Sequence, residues 1–325
     1  MAAPVLRCRA LLAGTGALTA VGASAALRRH LPGNPADWQR RNYRGAAVSL
    51  VGGPAITVAA GASAGLGGLL AGPGTDPADR RRLALAAVAA GMLAGLWGRY
   101  DDVAGERDRE RAAKGFAGHL RALRQGRLTA GVVKVAGIGT SGIAAGWLLE
   151  RAHAEPAGPV DVVVRAGIVA GTANLVNLLD LRPGRALKVV LLTAGPVVLR
   201  AGPPGSLLAG PVGAAAALLP GDLGERTMLG DAGANAVGAV LGVGLAAGTS
   251  RPGRAALLAG LVGLTAASEV VSFSRVIDRT PPLRWLDRAG RGDGISRRDG
   301  IRRRDGIRRR DGTSRPRGTG RPGGG

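Results

Sequence analysis

The feature that most constrains this chain is a recurring run of Ala, Gly, Val and Leu, close to the length that crosses a lipid bilayer. A span needs about 20 mostly apolar residues. Such runs fall at 5–26, 46–71, 83–98, 131–149, 160–178, 186–199, 206–219, 232–247 and 255–271. The sixth and seventh are short and are split by Gly202-Pro203-Pro204-Gly205, which reads as a helix-breaking turn. The kind of apolar residue points the same way. Hydrophobic residues make up 46% of the 325, yet aromatics only 2%, and there are 56 glycines. A water-soluble core of this size would use more Phe and Tyr to fill space, whereas membrane helices use small side chains to bring backbones close. The expected fold is all-α: a polytopic integral membrane bundle of about nine to ten transmembrane helices. The first run follows Arg7 and Arg9 as a signal peptide would, but it is long and other spans follow, so it reads as a retained helix.

The net charge of +22 fits either nucleic acid or anionic lipid as a partner. Its distribution favours lipid. With the N-terminus outside, 34 of the 44 Lys and Arg fall on the cytoplasmic side of the predicted spans. The positive-inside rule then places the C-terminus in the cytoplasm and the chain in the cell membrane. From Arg291 a six-residue unit repeats at 295–300, 301–306 and 307–312, each copy holding one Ile and no other large apolar side chain. Such a tail is expected to stay disordered. It would sit on anionic lipids; nucleic acid is not an expected partner, because the repeats hold no aromatic to stack bases. The expected organisation is a transmembrane domain over 1–273, a last cytoplasmic segment over 274–290 and the basic tail over 291–325. Cys8 is alone and there are three histidines, which excludes an intrachain disulfide and argues against a zinc site.

A carboxylate at mid-membrane costs about 2.5–3.5 kcal/mol, so acids near spans are informative. Asp101-Asp102, Asp180 and Asp231 all fall at the cytoplasmic ends of predicted spans. Adjacent Asp101 and Asp102 repel each other unless a cation sits nearby, and hard oxygen donors suit Mg²⁺ with phosphate and water. Asn174, Asn177 and Asp180 recur at a spacing of three and so share a helical face. Asp231 stands between Gly230 and Gly233, where a ligand can approach the backbone. Plainer readings compete: a solvated Asp pair, Asn as a helix–helix hydrogen bond, and Asp231 as the N-cap of its helix. Asp161, on the outer side, reads as an ordinary loop acid.

Taken in order, these segments resemble the polyprenyl-phosphate glycosyl-1-phosphate transferases, the family of phospho-N-acetylmuramoyl-pentapeptide transferase and the undecaprenyl-phosphate N-acetylglucosamine-1-phosphate transferases. Asn42-Tyr43-Arg44-Gly45 through Gly52-Gly53 is similar to the family's first cytoplasmic motif. Tyr100-Asp101-Asp102 with Lys114-Gly115-Phe116 and Gly118-His119-Leu120 resembles its double-aspartate loop. Asn174 through Asp180 matches its Asn-x-x-Asn-x-x-Asp pattern, and Met228 through Gly233 its Gly-Asp motif. The resemblance implies a Mg²⁺-dependent transfer of a sugar-1-phosphate from a UDP-sugar to a polyprenyl phosphate, with UMP released, in cell-envelope synthesis. It implies Asp101 and Asp102 as catalytic, Lys114, Asn174, Asn177 and Asp180 as substrate-binding, and Asp231 with Asp102 as metal ligands. A second copy of the chain is an open option as partner.

Three features depart from the family pattern. The family's histidine-rich last loop is replaced by Ser272-Phe273-Ser274-Arg275-Val276-Ile277-Asp278, no second aspartate follows Asp180, and the basic tail stands where a last helix is expected. A UDP-N-acetylhexosamine is therefore the expected donor rather than the muramoyl pentapeptide. Two other functions stay open: a catalytically degenerate relative acting as a scaffold, and a lipid transporter.

Overall fold

The computed structural model describes residues 3–72, 74–108, 124, 130–152 and 158–291. Residues 1–289 form one compact unit; of the second, 290–325, only Gly290 and Arg291 are described. The repeat tail and Lys114 lie outside the described residues. Among the described residues the fold is α-helical apart from one β-hairpin and a 3-10 turn at Pro35–Trp38. Helix α1 covers Ala3–Arg29, and the strands β1 (Gln39–Arg41) and β2 (Ala47–Ser49) follow. Then come α2 (Gly52–Leu69), α3 (Pro77–Asp108), α4 (Ala130–Arg151), α5 (Pro159–Leu179), α6 (Arg185–Val198), α7 (Pro203–Leu223), α8 (Gly230–Gly248), α9 (Arg251–Val270), α10 (Phe273–Arg279) and α11 (Pro281–Arg288).

Seven of these helices are long and apolar enough to cross a membrane: α1, α3, α4, α5, α7, α8 and α9. The other two predicted spans are helical but fall short by length or composition. Helix α2 has 18 residues rich in Gly, and α6 has 14. At 1.5 Å per residue α6 is about 21 Å long, against about 30 Å of hydrocarbon. Three boundaries differ from the sequence reading. The start of the second run is strand β2. Helix α3 continues past Gly98 to Asp108, so Asp101 and Asp102 sit on the helix rather than after it. Pro203 and Pro204 form the first turn of α7 after Gly202, where a missing N–H costs nothing.

Small side chains hold the bundle together. Helix α8 is the centre, buried on nearly every side and built almost wholly from Gly, Ala and Val. Gly53 of α2 lies so close to the Leu229 carbonyl that an added Cβ would overlap it. In a bilayer such close packing replaces the hydrophobic drive that water would supply.

Chain direction alternates, so one end of the bundle collects the C-terminal ends of α1, α3, α5, α7 and α9 and the N-terminal ends of α2, α4, α6 and α8. Cross-links at that end include Gly184 N–H to Asp222 Oδ2 at 2.7 Å and Arg185 Nε to Asp287 Oδ1 at 2.7 Å. The opposite end is tied by arginines. Arg9 donates to the carbonyls of Val198 (2.7 Å) and Gly202 (2.8 Å), Arg82 to that of Arg151 (2.9 Å), Arg165 to that of Ala246 (3.3 Å) and Arg254 to that of Thr249 (2.9 Å). The carbonyls of Val198, Arg151, Ala246 and Thr249 lie in or just after a helix's last turn, which carries its partial negative charge, whereas Gly202 is the N-cap of α7. Asp161 is a correction to the sequence reading: it is buried, and it pairs with Arg254 at 2.9 Å and Arg251 at 3.0 Å.

Candidate functional site

The site forms where α3, α4, α5 and α8 meet. The turn before α8 carries Gly230 at φ 60, a left-handed conformation that glycine adopts without strain. An added Cβ there would also press on Leu50 at 2.8 Å and on both Asp102 oxygens at 3.0 Å. This turn sends Asp231 into the first turn of α8. Asp231 is not the N-cap; that position is Leu229, which offers no side-chain acceptor. The cap comes from another helix. Asp102 Oδ1 accepts the N–H of Asp231 at 3.1 Å, and Asp102 Oδ2 accepts the N–H of Ala232 at 3.0 Å. Arg40 of β1 completes the cluster with a 3.1 Å ion pair to Asp102 Oδ1. Asp102 is buried, so this pairing compensates its desolvation.

Beside this cap, Lys134 in the first turns of α4 bridges two acids. Its ammonium donates to Asp101 Oδ2 at 3.1 Å and to Asp231 Oδ2. Asn177 of α5 closes the ring: with its amide turned to satisfy both neighbours, its nitrogen donates to Asp231 Oδ1 at 3.0 Å and its oxygen accepts from Lys134 at 3.0 Å. Side chains from three helices thus converge on one ammonium carried by a fourth, with the Asp101 and Asp231 carboxylates next to each other on it.

A cavity of about 430 Å³ opens next to this ring. Its lining includes the acids Asp180, Asp222 and Asp231 with Asn177, and the bases Arg40, Arg41 and Arg182 with Tyr43. Tyr43 carries the Arg182 guanidinium over its ring at 4.2 Å and that of Arg44 at 5.2 Å. The β1–β2 hairpin, which contributes Arg40 to Tyr43 to the cavity lining, is pinned by Asn42 and Arg44, both bonded to Glu225 (2.5 Å and 3.1 Å). Asp180 follows the last turn of α5. Burial pushes its carboxyl well above the ordinary range; the charges of Asp222, Asp231 and Asp102 push further, and the Gly230 N–H opposes them.

Of the residues singled out by sequence, Asp101, Asp102, Asn177, Asp180 and Asp231 come together at one end of the bundle. Asn174 does not join them. Its amide donates to Thr265 of α9 at 3.3 Å, so three residues of spacing separate it from Asn177 rather than aligning the two. Lys114 lies outside the described residues. Sequence reasoning passed over Lys134, counting it only as a loop cation. A lysine in the first turns of a predicted span, at the membrane end that gathers acids, was the available signal. Arg40 and Asp222 were likewise not singled out.

Among the described residues no three His, Cys, Asp or Glu side chains form a ready metal cluster. The donor chemistry nevertheless fits Mg²⁺. Asp101, Asp231 and the Asn177 amide supply hard oxygens around a position already suited to a cation, beside a cavity with room for phosphate and water. Mg²⁺ commonly binds through one or two carboxylates with the rest of its shell from substrate. No protein-family model matches the chain, and no curated protein matches it.

Proposed function

We propose that this chain is a phosphoglycosyl transferase of the polyprenyl-phosphate type, moving a sugar-1-phosphate from a UDP-sugar, in our reading a UDP-N-acetylhexosamine, to a polyprenyl phosphate. The observation that carries the reading is the convergence of Asp101, Asp231 and Asn177, from three helices, on the Lys134 ammonium beside a cavity lined by both acidic and basic side chains. Two phosphate anions must meet in such a reaction, and catalysis of phosphoryl transfer is largely positioning and charge compensation.

In the proposed step an oxygen of the acceptor phosphate attacks the β-phosphorus of the UDP-sugar and forms a new P–O–P linkage. The bond from the β-phosphorus to the bridging oxygen breaks, and UMP leaves with that oxygen and its electron pair. Asp101 takes the proton of a singly protonated acceptor phosphate. Lys134 and Arg182 compensate the phosphate charges, and Asn177 and Asp180 line the donor side. Asp231 with Asp101 would hold Mg²⁺, which when bound neutralises the phosphates. Asp102 is a positioning residue in this account, since both of its oxygens hold the start of α8.

The transferase would sit in the cell membrane with its N-terminus outside and this site facing the cytoplasm. Nine crossings are proposed, because α2 and α6 run between the same two ends as the seven long helices. Gly53 of α2 meets Leu229 near the site, and Gly67 of α2 meets Ser206 near the far end. Arg185 of α6 pairs at the site end, while Val198 at its other terminus accepts from Arg9. Membranes holding the chain, given labelled UDP-sugars, Mg²⁺ and undecaprenyl phosphate, should form a lipid-linked sugar phosphate. A full donor screen on folded protein with no product overturns the reading.

A second reading draws on Lys134 itself. An ammonium that already neutralises Asp101 and Asp231 lets the fold persist without metal, as a non-catalytic membrane scaffold would. In that case Asp231→Asn leaves cellular function intact at unchanged protein level.

A further inference from the structure

Helices α10 and α11, which follow α9, form an elbow with two unlike faces. The inner face is polar and tied to α6. Asp287 is the one buried residue of the two helices, and it pairs with Arg185 at 2.7 and 3.3 Å. Arg185 also donates to Ser274 at 2.9 Å. Lys188, three residues further along α6, donates to the carbonyls of Leu286, Asp287 and Ala289 at 2.6–3.0 Å and so caps the end of α11. One ion pair, the Ser274 hydrogen bond and the Lys188 cap tie the elbow to α6.

The outer face combines groups that belong together in only one environment. Arg275, Arg279, Arg284 and Arg288 are all exposed, and so are Val276 (41%), Leu283 (43%) and Trp285 (74%). The acids within 272–291 are Asp278 and the buried Asp287, so the outer face is strongly basic. A bare Trp is costly in water, and four guanidinium groups are costly in hydrocarbon. The headgroup layer accepts both, with the ring at the interface and the arginines on lipid phosphates. The elbow also begins where the exposed Val270 and Val271 end a membrane-crossing helix.

We propose that the outer face of α10–α11 is a docking surface for anionic phospholipid headgroups, with Arg275, Arg279, Arg284 and Arg288 on the phosphates and Trp285 in the interface. This holds whether or not the acidic site transfers phosphate, and it is separate from any lipid contact of the tail beyond Arg291.

The full chain is reconstituted in vesicles of phosphatidylcholine with 30% phosphatidylglycerol, an about one-third share chosen to resemble an anionic leaflet. Bromine is placed on the acyl chains of one lipid or the other at equal total bromine. The Trp285 signal is the difference in emission between the natural chain and Trp285→Phe. Brominated phosphatidylglycerol should quench that signal more than brominated phosphatidylcholine, beyond its share of the lipid. Replacing all four arginines by Gln should abolish the preference while the thermal midpoint stays put, and each single replacement should lower it by up to about five-fold. The tail is present in every protein compared, so the change belongs to the elbow. Equal quenching by the two lipids, a preference that survives the four replacements, or no quenching at all would each overturn the proposal.

Discussion

The carboxylate of Asp102 caps a helix that begins 128 residues later, accepting the N–H of Asp231 at 3.1 Å and that of Ala232 at 3.0 Å. One aspartate of an adjacent pair is thereby committed to the backbone, while its neighbour Asp101 faces Lys134. The two acids have different jobs because successive positions on a helix point about 100° apart.

Asp102→Ala should therefore act mainly on stability. It removes a buried acceptor of two amides and leaves Arg40 without its carboxylate. The expected cost is about 3–5 kcal/mol, the range for breaking a buried pair. A chemical or thermal unfolding series in detergent checks this, and a loss well under 1 kcal/mol would deny the capping role.

Lys134→Gln should lower both stability and activity. Asp101 and Asp231 would then face each other without the ammonium. Lys134 and the two acids are 15–20% exposed, so the stability cost is set below that of a fully buried pair, at about 2–3 kcal/mol. Added Mg²⁺ should recover more stability in this variant than in the natural chain, because it would fill the vacated charge. Unfolding midpoints with and without Mg²⁺ measure the difference.

Asp180→Asn should change how stability depends on pH. The folded chain raises the Asp180 pKa, so it binds this proton more tightly than the unfolded chain does. The resulting penalty is absent below about pH 3.9, where both states are protonated. It grows as pH rises through the elevated folded value. The Asn variant carries no such penalty. It should melt above the natural chain at pH 8, and the gap should close as pH falls toward 4. A gap that widens on acidification would contradict the shift.

At the far end of the bundle, Arg165→Met should be severe. Arg165 is 1% exposed and pairs with Glu150 at 2.9 Å. Removing one partner strands a buried charge, at about 3–5 kcal/mol. Combining it with Glu150→Met should restore most of that loss. Additive losses in the double variant would mean that the two residues do not act as a pair.

The helical runs were readable because small apolar residues persist for about 20 positions whatever they pack against. Every run proposed from sequence contains a helix, though the second begins as strand β2 and seven of the helices are long and apolar enough to cross a membrane unaided. The acids were readable because charge is rare near such runs. Their partners were not. Arg40 lies on a three-residue strand, and Lys134 is one basic residue among many in its stretch of sequence. Only the packing of α3, α4 and α8 selects these two cations. Asn174 misled for a related reason: a spacing of three leaves two side chains about 60° apart, enough for α9 to claim one and Asp231 the other. The arginines at the far end looked like exceptions to a charge rule, but several of them cap helix ends.

The most direct test of the central claim is UMP release by purified, reconstituted protein given Mg²⁺, undecaprenyl phosphate and a panel of UDP-sugars. The account predicts UMP formed in step with lipid-linked sugar phosphate, stopped by chelating the metal and reduced at least about a hundred-fold by Asp231→Asn. UMP release at the natural rate from the Asp231→Asn protein, or none from the natural chain with any donor, would contradict it.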